Sequence, residues 1–503
     1  MVFSPHEIDA ALEAAVAEPA PAAGLGRRFA ELAKAHPDRE ALVCGQDRRS
    51  FAEVDRRTNQ LAAVLTERGA APGSAVAVVL PNRLEFYEVA IAAWKLGATV
   101  VPLNHRAPET ERERLYSLAR PAVIVVDRPE PSRTCAVVLD DLYTQAQGHA
   151  DTAPPDTPAV PWLAIGSGGS TGAPKLIVKE EPGPVHPAKA AMLGMRPGGR
   201  QLVAGPLYHS GPFNWGVIHL MAAGGTIVLA EKFDAEGFLA TIAAERITWA
   251  MVVPTMLRRI MRLPAIVREG HDLTSLEVLL HGAAACPPTL KREVLAFFGA
   301  ERVWEVYGST EIGLGLMRGD AWLAHPGSVG QLMAAYDVSI RDNQGGELPP
   351  GQVGEIWIRQ AGGATFSYRG AEARADSSGF HSVGDLGSLD ADGYLYLSDR
   401  RTDLIISGGS NVYPAEVEHV LLDHPGVEDV AVIGLPDPEW GQRVHALVAA
   451  TAPEAPPSGE ELAAHCRDRL MPYKAPKTYE FTSALPRDAA GKLRRSRLRD
   501  ERL

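Results

Sequence analysis

A glycine-rich stretch at residues 166–175 constrains the fold of this 503-residue chain more than any other segment. It holds four glycines, three hydroxyl side chains and one lysine. Glycine lets backbone N–H groups approach phosphate oxygens, the hydroxyls add donors, and the lysine adds a positive charge for terminal phosphates. The stretch lacks the spacing of a Walker loop and of a dinucleotide-binding loop. It therefore predicts a different polyphosphate loop, which indicates ATP.

The candidate phosphate ligands are Ser167, Gly168, Gly169, Ser170, Thr171, Gly172 and Lys175. Taken alone, the stretch also fits a flexible surface linker, because glycine and serine are common in linkers of every kind. The choice between these two interpretations depends on strings further along the chain.

Composition narrows the class of protein. Hydrophobic residues make up 46% of the chain and charged residues 22%, which is typical of a globular protein, and the length predicts two or more domains. The net charge of −12 argues against partners such as nucleic acid or an anionic membrane. Four scattered cysteines predict neither a zinc site nor a disulfide framework. Without an apolar run of membrane-spanning length or a signal peptide, we expect a cytoplasmic protein with no membrane insertion.

Apolar runs alternate with helical patterns in two series, at residues 40–130 and 162–307. Such alternation is typical of βαβ units with a parallel sheet. A proline-rich segment at 153–161 lies between the series and predicts a boundary between two α/β subdomains. Before them, residues 1–24 predict a peripheral amphipathic helix.

The second half of the chain has a different pattern. Short strands separated by turns at residues 327–397 predict a β-rich subdomain. After Arg400 the pattern predicts a compact α+β unit. Pro414 lies near the start of one of its helices, and Ser458 with Glu461 predicts a capping box at the start of another.

Four strings follow the glycine-rich stretch. They are Val-Tyr-Gly-Ser-Thr-Glu at 306–311, Val-Gly-Asp-Leu at 383–386, Asp-Arg-Arg-Thr-Asp at 399–403 and Pro-Arg-Asp-Ala-Ala-Gly-Lys at 486–492. With these strings in this order, the chain resembles the acyl-adenylate-forming superfamily from about residue 25 to its C-terminus. Within that superfamily, residues 405–418 resemble the acyl-CoA synthetase branch.

The resemblance implies an α/β fold with two domains. Residues 1–398 form a large N-terminal adenylation domain of two α/β subdomains and a β-rich subdomain, residues 399–403 a hinge, and residues 404–503 a small mobile α+β domain. The implied enzyme is an ATP-dependent carboxylic acid:CoA ligase. It activates a small carboxylic acid as an acyl-adenylate, releases pyrophosphate, and then forms the CoA thioester. The implied cofactors are ATP, Mg²⁺ and CoA.

Five residues are the main candidates for the nucleotide site. Carboxylates suit Mg²⁺, and the resemblance makes Glu311 the magnesium ligand and Tyr307 the side chain that stacks on adenine. Thr310 is the candidate contact to the α-phosphate. Asp385 can accept hydrogen bonds from both ribose hydroxyls, and Arg400 resembles a second ribose contact. The alternatives are a core aromatic for Tyr307, a turn carboxylate for Asp385 and a surface arginine for Arg400.

Further candidate nucleotide contacts are Gly282, Ala283, Ala284, Gly308 and Ser309.

The resemblance assigns the remaining site residues to the acid and to CoA. Lys492 resembles the lysine that lies between the carboxylate and the α-phosphate, where a fixed cation lowers the repulsion of two anions in the transition state. His209 resembles the residue that gates the carboxylate pocket. Gly408 and Gly409 belong to the loop expected at the CoA channel once the C-terminal domain has rotated.

Two departures from the family pattern leave questions open. Residues 176–184 replace the usual run after the phosphate loop, so the acid can be aryl, fatty or steroid. Thr402 occupies the hinge position, where a β-branched residue turns less freely.

The acceptor can be CoA, a carrier protein or a small nucleophile such as nitrite. The oligomeric state is open between a monomer and a homodimer. A non-catalytic nucleotide-binding protein is disfavoured because Lys175, Glu311, Asp385 and Lys492 are all present.

Overall fold

The computed structural model describes residues 24–130, 133–168, 174–311, 315–488, 491–493 and 495–503. The helix expected over residues 1–24 thus lies outside the described residues, apart from Gly24. No helix in the described part of the chain has both the length and the apolar character needed to cross a membrane.

The described elements follow one another along the chain in three stretches. The first contains α1 (Leu25–Ala35), β1 (Glu40–Cys44), β2 (Asp47–Ser50), α2 (Phe51–Glu67), β3 (Ala75–Val79), α3 (Leu84–Lys95), β4 (Thr99–Pro102), α4 (Glu109–Ala119), β5 (Val123–Val126), β6 (Ala136–Val138), α5 (Leu139–Ala146), β7 (Leu163–Gly168) and β8 (Pro174–Lys179). The second contains α6 (Pro187–Met192), β9 (Arg200–Val203), α7 (Ser210–Met221), β10 (Thr226–Leu229), α8 (Ala235–Ala244), β11 (Trp249–Val252), α9 (Pro254–Met261), α10 (Ala265–Arg268), β12 (Val278–Gly282), α11 (Pro288–Phe298), β13 (Val303–Tyr307), β14 (Gly315–Arg318) and α12 (Gly319–Ala324). The third contains β15 (Tyr336–Arg341), β16 (Gly354–Gln360), β17 (Phe366–Arg369), β18 (Arg374–Ala375), β19 (His381–Ser382), β20 (Asp385–Leu389), β21 (Leu395–Arg400), β22 (Ile405–Ser407), β23 (Ser410–Val412), α13 (Pro414–Leu422), β24 (Val427–Asp437), β25 (Gly441–Ala450), α14 (Gly459–Arg467), β26 (Thr478–Thr482) and α15 (Arg495–Asp500).

Two large sheets form the N-terminal part of the molecule. One has eight strands in the order β14-β13-β12-β11-β9-β10-β1-β2, parallel except at its two edges. The other has seven strands in the order β17-β8-β7-β4-β3-β5-β6. Their central strands are fully buried runs of apolar residues, as expected for parallel strands covered by helices on both faces. The predicted α/β fold class is confirmed.

The sheets are interleaved along the chain, which differs from the boundary expected at residues 153–161. Strands β1 and β2 precede that segment but join the eight-stranded sheet, whereas β7 and β8 follow it and join the seven-stranded sheet. Strand β17 comes from still further along the chain and pairs with β8. The proline-rich segment therefore does not separate the two subdomains.

Two smaller sheets complete the fold. A six-stranded sheet built from β15, β16 and β18 to β21 matches the β-rich region expected at residues 327–397. A five-stranded sheet of β22 to β26 packs with α13 and α14 in the C-terminal α+β unit.

The capping box expected at α14 is only half formed. The Ser458 hydroxyl accepts a hydrogen bond from the Glu461 N–H at 3.1 Å. The Glu461 carboxylate does not return to the Ser458 backbone but lies 3.3 Å from Nε2 of His424. A full capping box does occur at α2, where Ser50 and Glu53 each bond the other's backbone N–H.

A close contact between α3 and α7 supports one wall of the central cavity. A Cβ added to Gly216 on α7 would overlap the hydroxyl oxygen of Tyr87 on α3. Tyr87 is fully buried, and its hydroxyl has no hydrogen-bond partner among the described residues. The two helices therefore approach closely only because position 216 lacks a side chain.

We predict that Gly216→Ala destabilises the protein by about 1–3 kcal/mol through overpacking, despite the higher helix propensity of alanine. In the double variant Gly216→Ala/Tyr87→Phe most of the loss should be recovered, because the nearest remaining ring atom, Cζ, lies 3.2 Å from the new Cβ. Urea unfolding of the wild type, both single variants and the double variant measures this. A single variant Gly216→Ala as stable as the wild type would contradict the packing argument.

Candidate active site

One cavity of about 1640 Å³ lies where the sheets of the N-terminal part meet the C-terminal unit. Drug-sized ligands usually occupy about 300–1,000 Å³, so this cavity has room for more than one ligand. Its lining includes Lys175 from β8, Glu311 after β13, Asp385 at the start of β20, and Lys492 from the C-terminal segment. Four separate parts of the chain therefore bring charged side chains to one site.

Lys175 and Glu311 form an ion pair across the cavity, with Nζ 3.1 Å from Oε1. The Tyr368 hydroxyl donates to the same Oε1 at 2.7 Å, and the Lys175 ammonium lies 3.7 Å from the centre of the Tyr368 ring. Burial alone would raise the pKa of Glu311, but the Tyr368 hydrogen bond and the Lys175 charge lower it overall. Glu311 is therefore an ionised carboxylate that already faces a cation.

Tyr368 was not identified from the sequence. It lies on β17, which pairs with β8 in the register Tyr368 opposite Ile177. Side chains opposite each other on antiparallel strands share a face, so β17 places this tyrosine beside Lys175. Because this pairing joins segments far apart in the chain, no local sequence pattern around residue 368 indicates that Tyr368 lies at the site.

Tyr307, Asp385 and Arg400 form a second group. The Tyr307 hydroxyl donates to Oδ2 of Asp385 at 2.9 Å, and Nε of Arg400 lies 3.5 Å from Oδ1. Burial raises the pKa of Asp385, while the Arg400 charge and the Tyr307 hydrogen bond act in the opposite direction. Tyr307 is buried at the end of β13, as a core aromatic would be, and it also lines the cavity.

Lys492 reaches the cavity from the C-terminal unit. Burial lowers its pKa, as does the Arg400 charge, whereas the carboxylates of Asp488, Glu311 and Asp385 raise it. The turn that carries it is tight: Gly491 has φ +75°, and an added Cβ there would lie 2.5 Å from Oγ1 of Thr255 on α9. The C-terminal unit thus inserts this lysine among the acidic groups of the N-terminal part.

Further contacts hold the C-terminal unit in this position. Oγ1 of Thr289 donates to Asp423 at 2.6 Å, and Nη2 of Arg262 donates to the Val427 carbonyl at 3.1 Å. Arg262 also forms an ion pair with Glu428. These contacts join α9 and α11 to the C-terminal unit beside the cavity.

His209 lies just before α7 and lines the cavity, with Nε2 3.7 Å from Oδ2 of Asp488. Burial lowers its pKa to about 4, with Asp488 opposing the shift and Lys492 adding to it. The imidazole is therefore neutral at pH 7. It forms part of the wall beside Lys492 rather than a second cation.

Among the other predicted nucleotide contacts, Ala283, Ala284, Gly308, Ser309 and Thr310 line the cavity. Ala283 adopts φ +67°, a left-handed conformation that is unusual for a residue with a side chain. Gly282 does not line the cavity, and a Cβ at this position would lie 2.6 Å from the Val306 carbonyl oxygen. Gly282 thus allows close approach of two strands.

Several predicted site residues lie away from the cavity or outside the described residues. Gly408 and Gly409 form the turn between β22 and β23 and do not line the cavity; the Gly408 N–H donates to the Trp440 carbonyl at 2.8 Å. Ser167 and Gly168 are described only as backbone of β7. The predicted phosphate ligands that lie outside the described residues are Gly169, Ser170, Thr171 and Gly172.

Comparison with known proteins identifies the family. The AMP-binding enzyme family matches residues 29–367, and the AMP-binding enzyme C-terminal domain matches residues 416–492. The chain belongs to the AMP-binding enzyme family, and the resemblance to the acyl-adenylate-forming superfamily and its acyl-CoA synthetase branch is confirmed.

Individual relatives are similar over nearly their whole length. A feruloyl-CoA synthase from Amycolatopsis sp. is 34% identical over 494 residues, covering 95% of this chain and 98% of the relative. A fatty acid–[acyl-carrier-protein] ligase from Streptomyces coeruleorubidus is 32% identical, covering 93% and 94%. The structure of o-succinylbenzoate CoA synthetase from Bacillus subtilis with its acyl-adenylate intermediate superposes with a TM-score of 0.82 at 28% identity, covering 94% and 98%.

The pKa of His209 makes a prediction about stability. The pKa of His209 is about 4 in the folded protein and near 6.5 in the unfolded chain. Between these pH values the unfolded chain binds a proton at this residue and the folded protein does not. The free energy of unfolding should therefore fall as the pH drops from 6.5 to 4. The fall should be smaller in His209→Gln, which cannot titrate. Urea unfolding at several pH values measures both slopes, and equal slopes would contradict a buried neutral imidazole.

Proposed function

We propose that this protein is an ATP-dependent carboxylic acid:CoA ligase that works through an acyl-adenylate. The observation that supports this most strongly is the convergence of Lys175, Glu311, Asp385 and Lys492 on one cavity. Lys175, Glu311 and Asp385 suit Mg·ATP. Lys492 comes from the separate C-terminal unit, which inserts its ammonium among them. A site for nucleotide binding alone has no need of that inserted lysine.

The residues around Glu311 fit a magnesium ion bound together with ATP. Glu311 is ionised and already accepts a cation, since it pairs with Lys175. Mg²⁺ is usually held by one or two carboxylates together with substrate phosphate oxygens, so one carboxylate beside a phosphate site suffices. When bound, the ion would neutralise phosphate charge as pyrophosphate departs. Lys175 would then be free to contact the phosphates, and Thr310 the α-phosphate.

The group around Asp385 fits the nucleoside. We assign Asp385 and Arg400 to the ribose hydroxyls, because a carboxylate is a suitable acceptor for both hydroxyls. The hydrogen bond from Tyr307 orients that carboxylate, and the Tyr307 ring lies in the cavity wall where adenine can pack against it. Ala283 and Ala284 also line the cavity, and their small side chains leave space for the base.

Lys492 has the central role in the first half-reaction. An oxygen of the substrate carboxylate attacks the α-phosphorus, the bond to the β-phosphate oxygen breaks, and pyrophosphate leaves. The attacking carboxylate and the phosphate are both anions, so a fixed ammonium between them stabilises the transition state. The neutral His209 beside it forms the wall against which the acid lies.

The second half-reaction requires a different arrangement of the C-terminal unit. A CoA thiol attacks the acyl carbonyl and AMP leaves, but Lys492 occupies the cavity and the Gly408–Gly409 turn lies away from it. We therefore propose that the C-terminal unit rotates about residues 399–403, at Thr402. This movement withdraws Lys492 and brings Gly408 and Gly409 to the thiol's route.

The acceptor and the cellular setting are further proposals. CoA is the acceptor we favour, and the relative from Streptomyces coeruleorubidus supports a carrier protein as the second candidate. All four cysteines are free thiols, which persist in a reducing cytoplasm. Thioester formation with CoA, or its appearance only with a phosphopantetheinylated carrier, distinguishes the two acceptors.

We predict that Lys492→Ala lowers acid-dependent pyrophosphate release by at least about 100-fold. Binding of ATP and thiolation of supplied acyl-adenylate should be nearly unchanged, because this lysine acts only in the first half-reaction. Pyrophosphate assays and mass spectrometry of the thioester measure the two steps. Lys477→Ala, at an exposed position of the same unit, is the matched control and should retain full activity. Normal pyrophosphate release by Lys492→Ala would exclude the assigned role.

For the second half-reaction, we predict that Gly409→Leu preserves pyrophosphate release but suppresses thioester formation about 10-fold or more, since a bulky side chain obstructs the thiol. Gly409 has φ +78° with open space around it, so backbone strain must be controlled for. Gly345→Leu provides that control, because Gly345 has φ +88° and equally open surroundings in the β-rich sheet. Unimpaired thioester formation by Gly409→Leu would show that the acceptor reaches the site by another route.

A further inference from the structure

A second lysine, Lys179, lies on the same face of β8 as Lys175. Side chains alternate along a strand, so Lys175, Ile177 and Lys179 point the same way, and all three line the cavity. Four residues of strand span roughly 13 Å. The cavity therefore carries one lysine at its nucleotide end and another about one small molecule's length away.

The two residues opposite Lys179 on the neighbouring strands are apolar. Lys179 is opposite Leu163 on β7 and Phe366 on β17, and both of these residues are buried. The Lys179 side chain forms no hydrogen bond and no ion pair with any residue in the part of the chain that the structure describes. Burial is the main cause of its lowered pKa. An ammonium held this way is costly unless something compensates its charge.

Three further titratable groups act on Lys179. The Glu181 and Glu311 carboxylates raise its pKa, and the Lys189 ammonium on α6 lowers it. Glu181 and Lys189 both line the cavity, with Tyr336 beside Glu181. Neither the Glu181 carboxylate nor the Lys189 ammonium forms a hydrogen bond or ion pair within the described ranges. Among the described residues, Lys179, Lys189 and Glu181 thus form a group with excess positive charge in which no side chain has an ion-pair partner.

The cavity also has an apolar part. The side chains of Trp215, Ile218 and Met251 line it and could pack against a carbon skeleton. His209 and Lys492 belong to the end where the acid is activated. A substrate that fits this lining has an apolar middle and a negatively charged group at its far end.

We infer that Lys179, assisted by Lys189, binds a second carboxylate of the substrate, so that the enzyme activates dicarboxylic acids at the carboxylate remote from this lysine. The inference rests on the proposed function and specifies the substrate class of the same cavity. Burial strengthens the attraction between an ammonium and a carboxylate, and it penalises a substrate that leaves the ammonium unpaired. The site therefore selects for the second acid and against the matching monoacid.

The test compares acids of equal length. Hexanoate is compared with adipate, octanoate with suberate and decanoate with sebacate, and the monoamide of each diacid retains the polar end without its charge. Acid-dependent pyrophosphate release gives kcat and KM for each. We expect higher kcat/KM for the diacid at the best-fitting length, with most of the difference in KM, because Lys179 lies away from the reacting carboxylate. A monoamide that equals its diacid would overturn the requirement for charge.

Lys179→Met keeps an unbranched side chain that is one heavy atom shorter and removes its charge. Its kcat/KM for the diacid should fall about 10- to 100-fold, as for loss of a charge-assisted hydrogen bond, while that for the monoacid is retained or rises. Lys179→Arg keeps the charge and should retain the preference for the diacid. Lys232→Met, at an exposed position outside the cavity lining, is the matched control. An unchanged preference in Lys179→Met would overturn the inference.

The pH dependence gives a second readout. Because the pKa of Lys179 is lowered, its ammonium is lost on raising the pH before an ordinary lysine would deprotonate. The wild-type KM for the diacid should therefore rise at alkaline pH, and in Lys179→Met it should not.

The outcomes separate the inference from the proposed function. Activation of monoacids without preference for diacids overturns the inference and leaves the ligase activity standing. Failure to release pyrophosphate with any acid contradicts the ligase itself. The wild-type comparison decides the inference even if Lys179→Met does not fold.

Discussion

The ion pair between Lys175 and Glu311 joins the two large sheets of the protein at the central cavity. Lys175 lies on the seven-stranded sheet, and Glu311 directly follows a strand of the eight-stranded sheet. A buried carboxylate needs a cation and a hydrogen-bond donor, and Tyr368 supplies the donor from a third segment of the chain. These three groups lie at the cavity that both sheets line. Without ligand, Lys175 and Glu311 neutralise each other. When Mg·ATP is bound, the magnesium ion would face Glu311 and the phosphates would face Lys175.

The C-terminal unit contributes a lysine side chain to the charged centre of the cavity. Its Lys492 lies among Glu311, Asp385 and Asp488, and its position is held by contacts to α9 and α11. Because these contacts are polar, they suit the separable interface that the proposed rotation of the unit requires. The position of Gly408 and Gly409 outside the cavity is consistent with the proposal that they meet the thiol only after Lys492 has been withdrawn.

Local patterns predicted the alternation of strands and helices at residues 40–130 and 162–307, because short apolar runs bounded by turns have few alternatives. Pairing between distant segments was not predictable in this way. Strands β1 and β2 join a sheet whose other strands come much later, and β17 pairs with β8. Lys175, Glu311, Asp385 and Lys492 each lie in a short sequence motif, so they could be indicated from the sequence. Tyr368 lies in no such motif, and only the pairing of β17 with β8 places it at the site. Lys179 belongs to residues 176–184, which depart from the family pattern, so no motif assigned it a role before the structure placed it in the cavity.

The central claim is that the substrate carboxylate becomes bonded to the α-phosphate of ATP. The most direct measurement uses an acid whose carboxylate carries ¹⁸O, incubated with the enzyme, ATP, Mg²⁺ and CoA, followed by mass spectrometry of the nucleotide and phosphate products. Acyl-adenylate formation predicts that one labelled oxygen is transferred from each acid to AMP, because cleavage of the adenylate by the thiol leaves the carboxylate oxygen on phosphorus. Label in inorganic phosphate with release of ADP, or unlabelled AMP, would contradict the account.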